Sequence, residues 1–352
     1  MVITKVPFRM SFFGGGTDYE QFFNEFGGSV IATTIDKYSY TTVRHLPPFF
    51  DANNNIVYSK IENTLTVDQI QHPLVRNAMK MLDMHDMRVV YDSDLPARSG
   101  LGSSSSFAVS LLMGFYALKG KYADKYKLAK EAIYLERTLC AESGGWQDQI
   151  STAYGGFNRI DFSNGDFDVN PIIMSKDRKA MLNSHLMLVF TGFSRLSAEI
   201  AENLVKSINQ KKSELLQIME LLEESVKILT SRCDIKEFGY LLDRAWQIKR
   251  GLNKYITTKE IDSIYQRAKD SGAIGGKIMG AGGGGFLMLF AEPEKQADIK
   301  AQLSDLTHVP FDFEESGAQV LYYAPEEYIN APKSKMKSKM QLENKSVKLT
   351  NN

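Results

Sequence analysis

Residues 96–107 read Pro96-Ala97-Arg98-Ser99-Gly100-Leu101-Gly102-Ser103-Ser104-Ser105-Ser106-Phe107. Two glycines here allow close backbone approach to a ligand, and four serines lead into an apolar helical run at 107–118. A helix start of this kind carries unpaired amides and partial positive charge, so the stretch can cradle phosphate. The serines also suit a plainer role, satisfying the helix's own amides. No Gly-Lys-Ser/Thr follows at Walker A spacing. The dinucleotide alternative fails too: Ser105 stands where a third glycine belongs, and no strand ending in an acid follows some twenty residues on.

Four charged residues are candidates to act beside that loop. Asp148 lies in Gly144-Gly145-Trp146-Gln147-Asp148-Gln149, where tight backbone could aim a carboxylate into a cleft; a turn or helix-cap aspartate is the alternative. Glu136 falls at the margin of the apolar face of a helix expected over 123–140, beside Ala129, Ala132 and Cys140, so it either reaches solvent or faces a cation. Arg9, near the end of the first strand, is a surface arginine or a fixed cation beside a nucleophile or phosphate. Asp18, in Gly14-Gly15-Gly16-Thr17-Asp18-Tyr19, suits a turn or an acceptor for sugar hydroxyls. A second glycine-rich segment, 275–285, precedes a strand rather than opening a helix, so it does not fit a dinucleotide fold. Close approach to a ligand or a facing strand explains it better.

The elements that must position these residues are mixed. Strands are expected at 2–6, 29–34, 38–44, 56–60 and 87–91, with helices at 19–26 and 73–84. Helices at 107–118 and 123–140 and a strand at 157–162 complete a first unit. A strand at 185–191 opens a second, with helical periodicity over 198–229, 235–249 and 259–271. A strand at 286–290, a helix at 295–303 and a strand at 318–323 follow. The charged stretch 175–179 marks the boundary, giving domains 1–182 and 183–331. The polar tail 332–352 lacks a core pattern and reads as disordered. This order argues for an α+β architecture rather than a doubly wound sheet.

Composition narrows the function. The 352 residues balance 42 Lys+Arg against 42 Asp+Glu, which argues against nucleic acid as a partner. Two cysteines, Cys140 and Cys233, do not make a disulfide framework, and five scattered histidines offer no zinc spacing. No apolar run reaches membrane-spanning length and no signal-peptide core is present, so a cytoplasmic protein without a membrane partner is expected.

Taken together and in this order, the segment from Arg9 to Asp18, the 96–106 loop and the 277–286 loop resemble the three motifs of the GHMP kinases, among them galactokinase, homoserine kinase and mevalonate kinase. The resemblance spans most of the chain. It implies a two-domain α+β fold, with an N-terminal ATP-binding domain like ribosomal protein S5 domain 2 and a ferredoxin-like C-terminal domain. The active site would lie between them. Within the family, Arg9 followed by Ser-Phe-Phe-Gly-Gly-Gly-Thr-Asp-Tyr looks most like the D-glycero-D-manno-heptose 7-phosphate kinases, with L-fucose kinase more distant. Galactokinase carries Glu and His where this chain has Gly15 and Gly16. Losing that bulk and negative charge suits a longer substrate ending in phosphate.

The resemblance also implies roles. Asp148 would take the proton of the acceptor hydroxyl, and Arg9 would stabilise charge in the transition state. Glu136 and Ser104 would hold Mg²⁺. Pro96, Arg98 and residues 100–106 would wrap the triphosphate of ATP. Gly15, Gly16, Thr17, Asp18, Arg195, Gly282 and Gly283 would meet the sugar, with Arg195 offered to its phosphate. The implied reaction is phosphorylation of the heptose 7-phosphate at C1 to the 1,7-bisphosphate, feeding nucleotide-activated heptose synthesis for surface polysaccharide. A kinase for an unphosphorylated sugar such as L-fucose, or a catalytically idle sugar and ATP sensor, are the alternatives. The oligomeric state is left open.

Overall fold

The computed structural model describes residues 1–97, 99–192, 205 and 208–325; Arg98, Arg195 and the 332–352 tail lie outside the described residues. The first strand runs further than its sequence suggests, β1 covering Val2–Phe13. After the short helix α1 (Glu20–Phe26), the two expected strands at 29–34 and 38–44 form one element, β2 (Gly28–His45). Its apparent interruption at Asp36-Lys37 is a change of partner. Residues 28–33 pair with β6 (Phe157–Ser163), whereas residues 39–45 pair with β5 (Met87–Ser93). From residue 31 to residue 43 the strand is also antiparallel to β1. A hairpin of β3 (Asn54–Val57) and β4 (Ile61–Thr64) extends one side, and β7 (Asp166–Pro171) follows β6 on the other.

Helices cover one face of this sheet. Pro73 at its first turn opens α2 (Pro73–Met81). Helix α3 (Ser103–Leu118) has no polar face and packs on β1 and β2, with Gly114 leaving room for Val43. The single helix expected over 123–140 is instead α4 (Lys125–Ile133) followed by a π-helical segment, Tyr134–Leu139. Cys140 N–H bonds the Leu135 carbonyl, and Ala141 ends the segment in the left-handed region at φ 53°. The wider turn rotates Glu136 away from the margin and into the interior, where it is fully buried. The chain then enters α5 (Gln147–Tyr154).

Helix α6 (Lys176–Ser184) precedes a second sheet of order β11-β8-β10-β9, built from β8 (Leu186–Phe190), β9 (Gly275–Ile278), β10 (Phe286–Phe290) and β11 (Thr307–Val309). Helices α7 (Lys212–Thr230), α8 (Lys236–Arg250), α9 (Lys259–Asp270) and α10 (Gln296–Gln302) complete the unit. Phe8, Met10 and Phe12 of β1 share one apolar cluster with Leu188, Phe238, Phe286 and Phe290. Phe238 packs edge-on against Phe12 and Phe13 at 5.5 and 5.3 Å, so the two units are joined through a common core.

The expected division at 182/183 needs one correction. Residues 313–323 do not stay with the second unit: β12 (Phe313–Glu314) pairs with β2, and β13 (Gln319–Tyr323) with β1. Phe313 also stacks edge-on against Phe12 and Phe157. Among the described residues, no helix is long and apolar enough to cross a membrane. A chain ending at residue 312 is expected to melt about 10 °C lower than one ending at 325, because it strips a half-buried aromatic and an edge strand from the first sheet. Equal melting curves would show that the returning strands contribute nothing.

Candidate active site

One cleft of about 980 Å³ runs between the units, at the upper end of the size of a small-molecule site. Arg9 stands at its centre, 2% exposed, so the surface-arginine alternative is excluded. Its Nε donates to Asp148 Oδ1 at 2.8 Å, Nη2 lies 2.7 Å from the same oxygen, and Nη1 donates to the Gly100 carbonyl at 2.7 Å. Because both carboxylate contacts fall on Oδ1, Oδ2 is the oxygen available to accept a proton. Asp148 occupies the first turn of α5 without capping it. Gly102 makes this approach possible, since a Cβ there would lie 3.1 Å from Arg9 Cγ.

The Gly/Ser loop does not form a self-capped helix start. Gly102 is the N-cap of α3 with φ 78°, and no side chain caps the helix. Ser104 Oγ and Ser105 Oγ donate instead to Glu136, at 2.6 and 2.7 Å, and the Gln149 side-chain amide also donates to it. Ser104 is exposed to the cleft while Glu136 is wholly buried. A buried carboxylate beside a hydroxyl at the mouth of a phosphate loop is a hard-oxygen pair of the kind Mg²⁺ takes together with substrate phosphates and water.

Asp18 is 1% exposed and keeps both earlier readings. It closes a turn by accepting from Gly16 N–H at 2.9 Å, and also accepts from Gln147 N–H at 3.3 Å across the cleft. Burial pushes its carboxyl up from the ordinary aspartate value, and the Asp148 charge adds to that. Gly145 must lack a side chain because a Cβ would fall 1.9 Å from Asp18 Oδ2.

Not every expected residue reaches the cleft. Gly15, Gly16, Asp18, Gly100, Gly102, Ser103, Ser104, Ser105, Glu136 and Asp148 line it. Pro96 is exposed outside it, where Ala97 lines it instead. Leu101 is core and accepts Arg9 N–H through its carbonyl. Ser106 turns back to the Ser103 carbonyl, and Thr17 ties the Gly14 and Ser29 carbonyls together. Gly282 and Gly283 pack on the Ile256 backbone, leaving Gly280 and Ala281 at the cleft. The glycine-rich loop therefore serves chiefly close backbone packing.

Several lining residues carried little signal in the sequence. Tyr58, His72, Tyr91 and Phe107 form an aromatic wall beyond the phosphate loop, with Tyr91 and Phe107 centroids 4.2 Å apart. Ser11, two residues along β1 from Arg9, and two lysines of the second unit also line the cleft. Lys249, partly buried on the last turn of α8, donates to the Gly280 carbonyl at 2.6 Å. Desolvation draws its ammonium down to about 8, Arg9 adding to the effect and Asp18 and Asp148 opposing it. Lys277, 4% exposed on β9, donates to the Phe12 carbonyl at 2.8 Å and is held well below the usual lysine range by burial and by Lys249 and Arg9. Its lysine type inside a buried strand was the one clue available.

Residues 71–156 match the GHMP kinases N terminal domain, and residues 229–307 the GHMP kinases C terminal. The chain belongs to the GHMP kinase family and is an ATP-dependent kinase with the family's α+β fold. It is 29% identical over 334 residues to the D-glycero-alpha-D-manno-heptose 7-phosphate kinase of Campylobacter jejuni, covering 90% of this chain and 97% of that one. Similarity to the bifunctional fucokinase/GDP-fucose pyrophosphorylase of Arabidopsis thaliana is 25% over 334 residues, covering 88% of this chain and 31% of that protein. A D-glycero-D-manno-heptose 1-phosphate kinase from Bacteroides thetaiotaomicron superposes with a TM-score of 0.69 at 24% identity, over 92% of this chain and 100% of that one.

The charges in the cleft set a pH dependence. Asp18 protonates at a pH above the ordinary aspartate range as acidity rises, and Lys249 loses its charge as pH rises through about 8. A bell-shaped kcat/KM is expected, its alkaline limb near the Lys249 value and moved upward by Lys249→Arg. An alkaline limb unmoved in that variant would assign the titration to another group.

Proposed function

We propose that this kinase transfers the γ-phosphoryl group of ATP to the C1 hydroxyl of a D-glycero-D-manno-heptose 7-phosphate, in the cytoplasm. The observation that carries the reading is the buried Arg9–Asp148 pair, held against the Gly100 carbonyl and facing a cleft that Lys249 and Lys277 also line. The heptose kinase similarity over nearly the whole of both chains supports the choice of acceptor.

In this reading the triphosphate lies on the amides at the start of α3, and the adenine rests against Tyr58, His72, Tyr91 and Phe107. Asp148 Oδ2 accepts the proton of the C1 hydroxyl as its oxygen attacks the γ-phosphorus in line. Arg9 fixes the Asp148 carboxylate and stabilises negative charge on the transferring group. Asp18 and Gln147 orient the ring hydroxyls, since Asp18 still has acceptor capacity and Gln147 Oε1 is buried without a partner. Glu136 and Ser104 would hold Mg²⁺, which would neutralise phosphate charge.

A coupled ADP-release assay over a sugar panel tests the reading. Mannoheptose 7-phosphate is expected to exceed its dephosphorylated form and L-fucose in kcat/KM by about 100-fold, the scale of one lost charge pair. Equal rates would refute the choice of acceptor. Asp148→Asn is expected to retain nucleotide affinity and lose roughly 10²–10⁴-fold in kcat, the usual worth of a general base. Near-normal turnover would remove Asp148 from its role.

A further inference from the structure

Phosphoryl transfer accounts for Arg9, Asp148 and the Gly/Ser loop but leaves Ser11, Lys249 and Lys277 without a task. Each lines the same cleft. Among the described residues neither lysine forms an ion pair; their bonds run to the carbonyls of Gly280 and Phe12. Lys277 is thus a desolvated amine next to Arg9 and Lys249, and its charged form costs stability unless an anion offsets it. Ser11 Oγ, in a residue only 4% exposed, is buried with no hydrogen-bond partner, which marks a donor kept for a ligand.

Distance along β1 separates this cluster from the reacting end. Arg9 grips Asp148, Ser11 is two residues further on, and the Phe12 carbonyl that receives Lys277 is three. At a strand rise of about 3.3 Å per residue, that is roughly 7–10 Å. A pyranose ring with a short carbon arm covers such a span between its C1 oxygen and a terminal phosphate. Gly15 and Gly16 line the same cleft, with nothing nearer to a Cβ at Gly15 than Gln147 Nε2 at 3.7 Å.

We propose that Ser11, Lys249 and Lys277 form a second anion site that grips the phosphate already carried by the acceptor. The proposal rests on the reading of the acceptor as a sugar phosphate and gives that phosphate its protein partners. It makes the second unit the reader of substrate charge, while the first unit handles the triphosphate. Specificity for a phosphorylated sugar then comes from two lysines and a hydroxyl that an uncharged sugar would leave unpaired.

Inorganic phosphate titrated calorimetrically into the full chain, saturated with a non-hydrolysable ATP analogue, isolates this site from the filled phosphate loop. Wild type is expected to bind one phosphate. Lys277→Met and Lys249→Met should each weaken it by about 30-fold or more, and Ser11→Ala several-fold, with affinity for the ATP analogue within about 3-fold of wild type. Ser11→Ala removes no contact present in the structure, so it reports even where a lysine variant folds poorly. No phosphate binding by wild type, or unchanged binding in the variants, would overturn the site. Equal losses of phosphate and nucleotide affinity would also overturn it by placing the lysines on the triphosphate. Turnover of mannoheptose 7-phosphate by wild type is measured separately. Its failure beside intact phosphate binding would sink the sugar assignment and leave the anion site standing.

Discussion

Arg9 reaches from β1 to a carboxylate on α5 and to a carbonyl of the phosphate loop, and at 2% exposure its charge has to be satisfied where it stands. Three segments more than forty residues apart in sequence therefore meet at one guanidinium. The strand serves as a template as well, since Arg9 N–H bonds the Leu101 carbonyl at 3.0 Å and sets the loop against the sheet edge. Leaving a buried ion without its partner typically costs about 3–5 kcal/mol. Loop, carboxylate and strand are thus positioned together, which is the pre-organisation that a loose phosphoryl-transfer transition state needs.

The second constraint is backbone contact between the units. A Cβ on Gly100 would fall 2.4 Å from the Met279 carbonyl oxygen, and one on Gly285 would fall 2.4 Å from that of Ser99. Phe286 N–H bonds the Ser99 carbonyl at 3.2 Å, so the glycine-rich loop is stitched to the start of the phosphate loop. With Phe12, Phe13 and Phe238 packed beneath, the cleft has a rigid floor. The glycines of 280–285 owe their number to this crossing more than to any ligand.

How much was legible in the sequence follows from the range of the forces involved. Local signals worked: the helix after the serines, the apolar strand 286–290, and the acid at 148 among glycines all stand where pattern put them. Long-range pairing did not show. The dip at Asp36-Lys37 looked like the end of a strand because its cause, a switch of neighbour from β6 to β5, lies in other segments. Glu136 read as marginal because a regular helical wheel cannot anticipate a π-turn, and one extra residue in the turn carries it from the edge to the interior. The return of 313–323 to the first sheet leaves no trace in composition. Lys249 was hidden for another reason: at the end of an amphipathic helix beside Arg250, a lysine looks like ordinary helix-terminal charge.

The electrostatics of the cleft give these placements a common logic. Arg9, Lys249 and Lys277 face Asp18 and Asp148, and among the described residues only Arg9 has a carboxylate partner at ion-pair distance. Cations kept short of counterions work against folding, so the large core shared by the two units has to carry them. On the proposed reading they gain selectivity of a kind hydrogen bonds to hydroxyls do not supply, because two polyanions then have to enter one cleft without repelling each other out of it. Anchoring the triphosphate at the start of α3 and the acceptor's phosphate at Ser11 and the two lysines would keep the two charges a sugar's length apart, with the Arg9–Asp148 pair fixed on the side where the new bond would form.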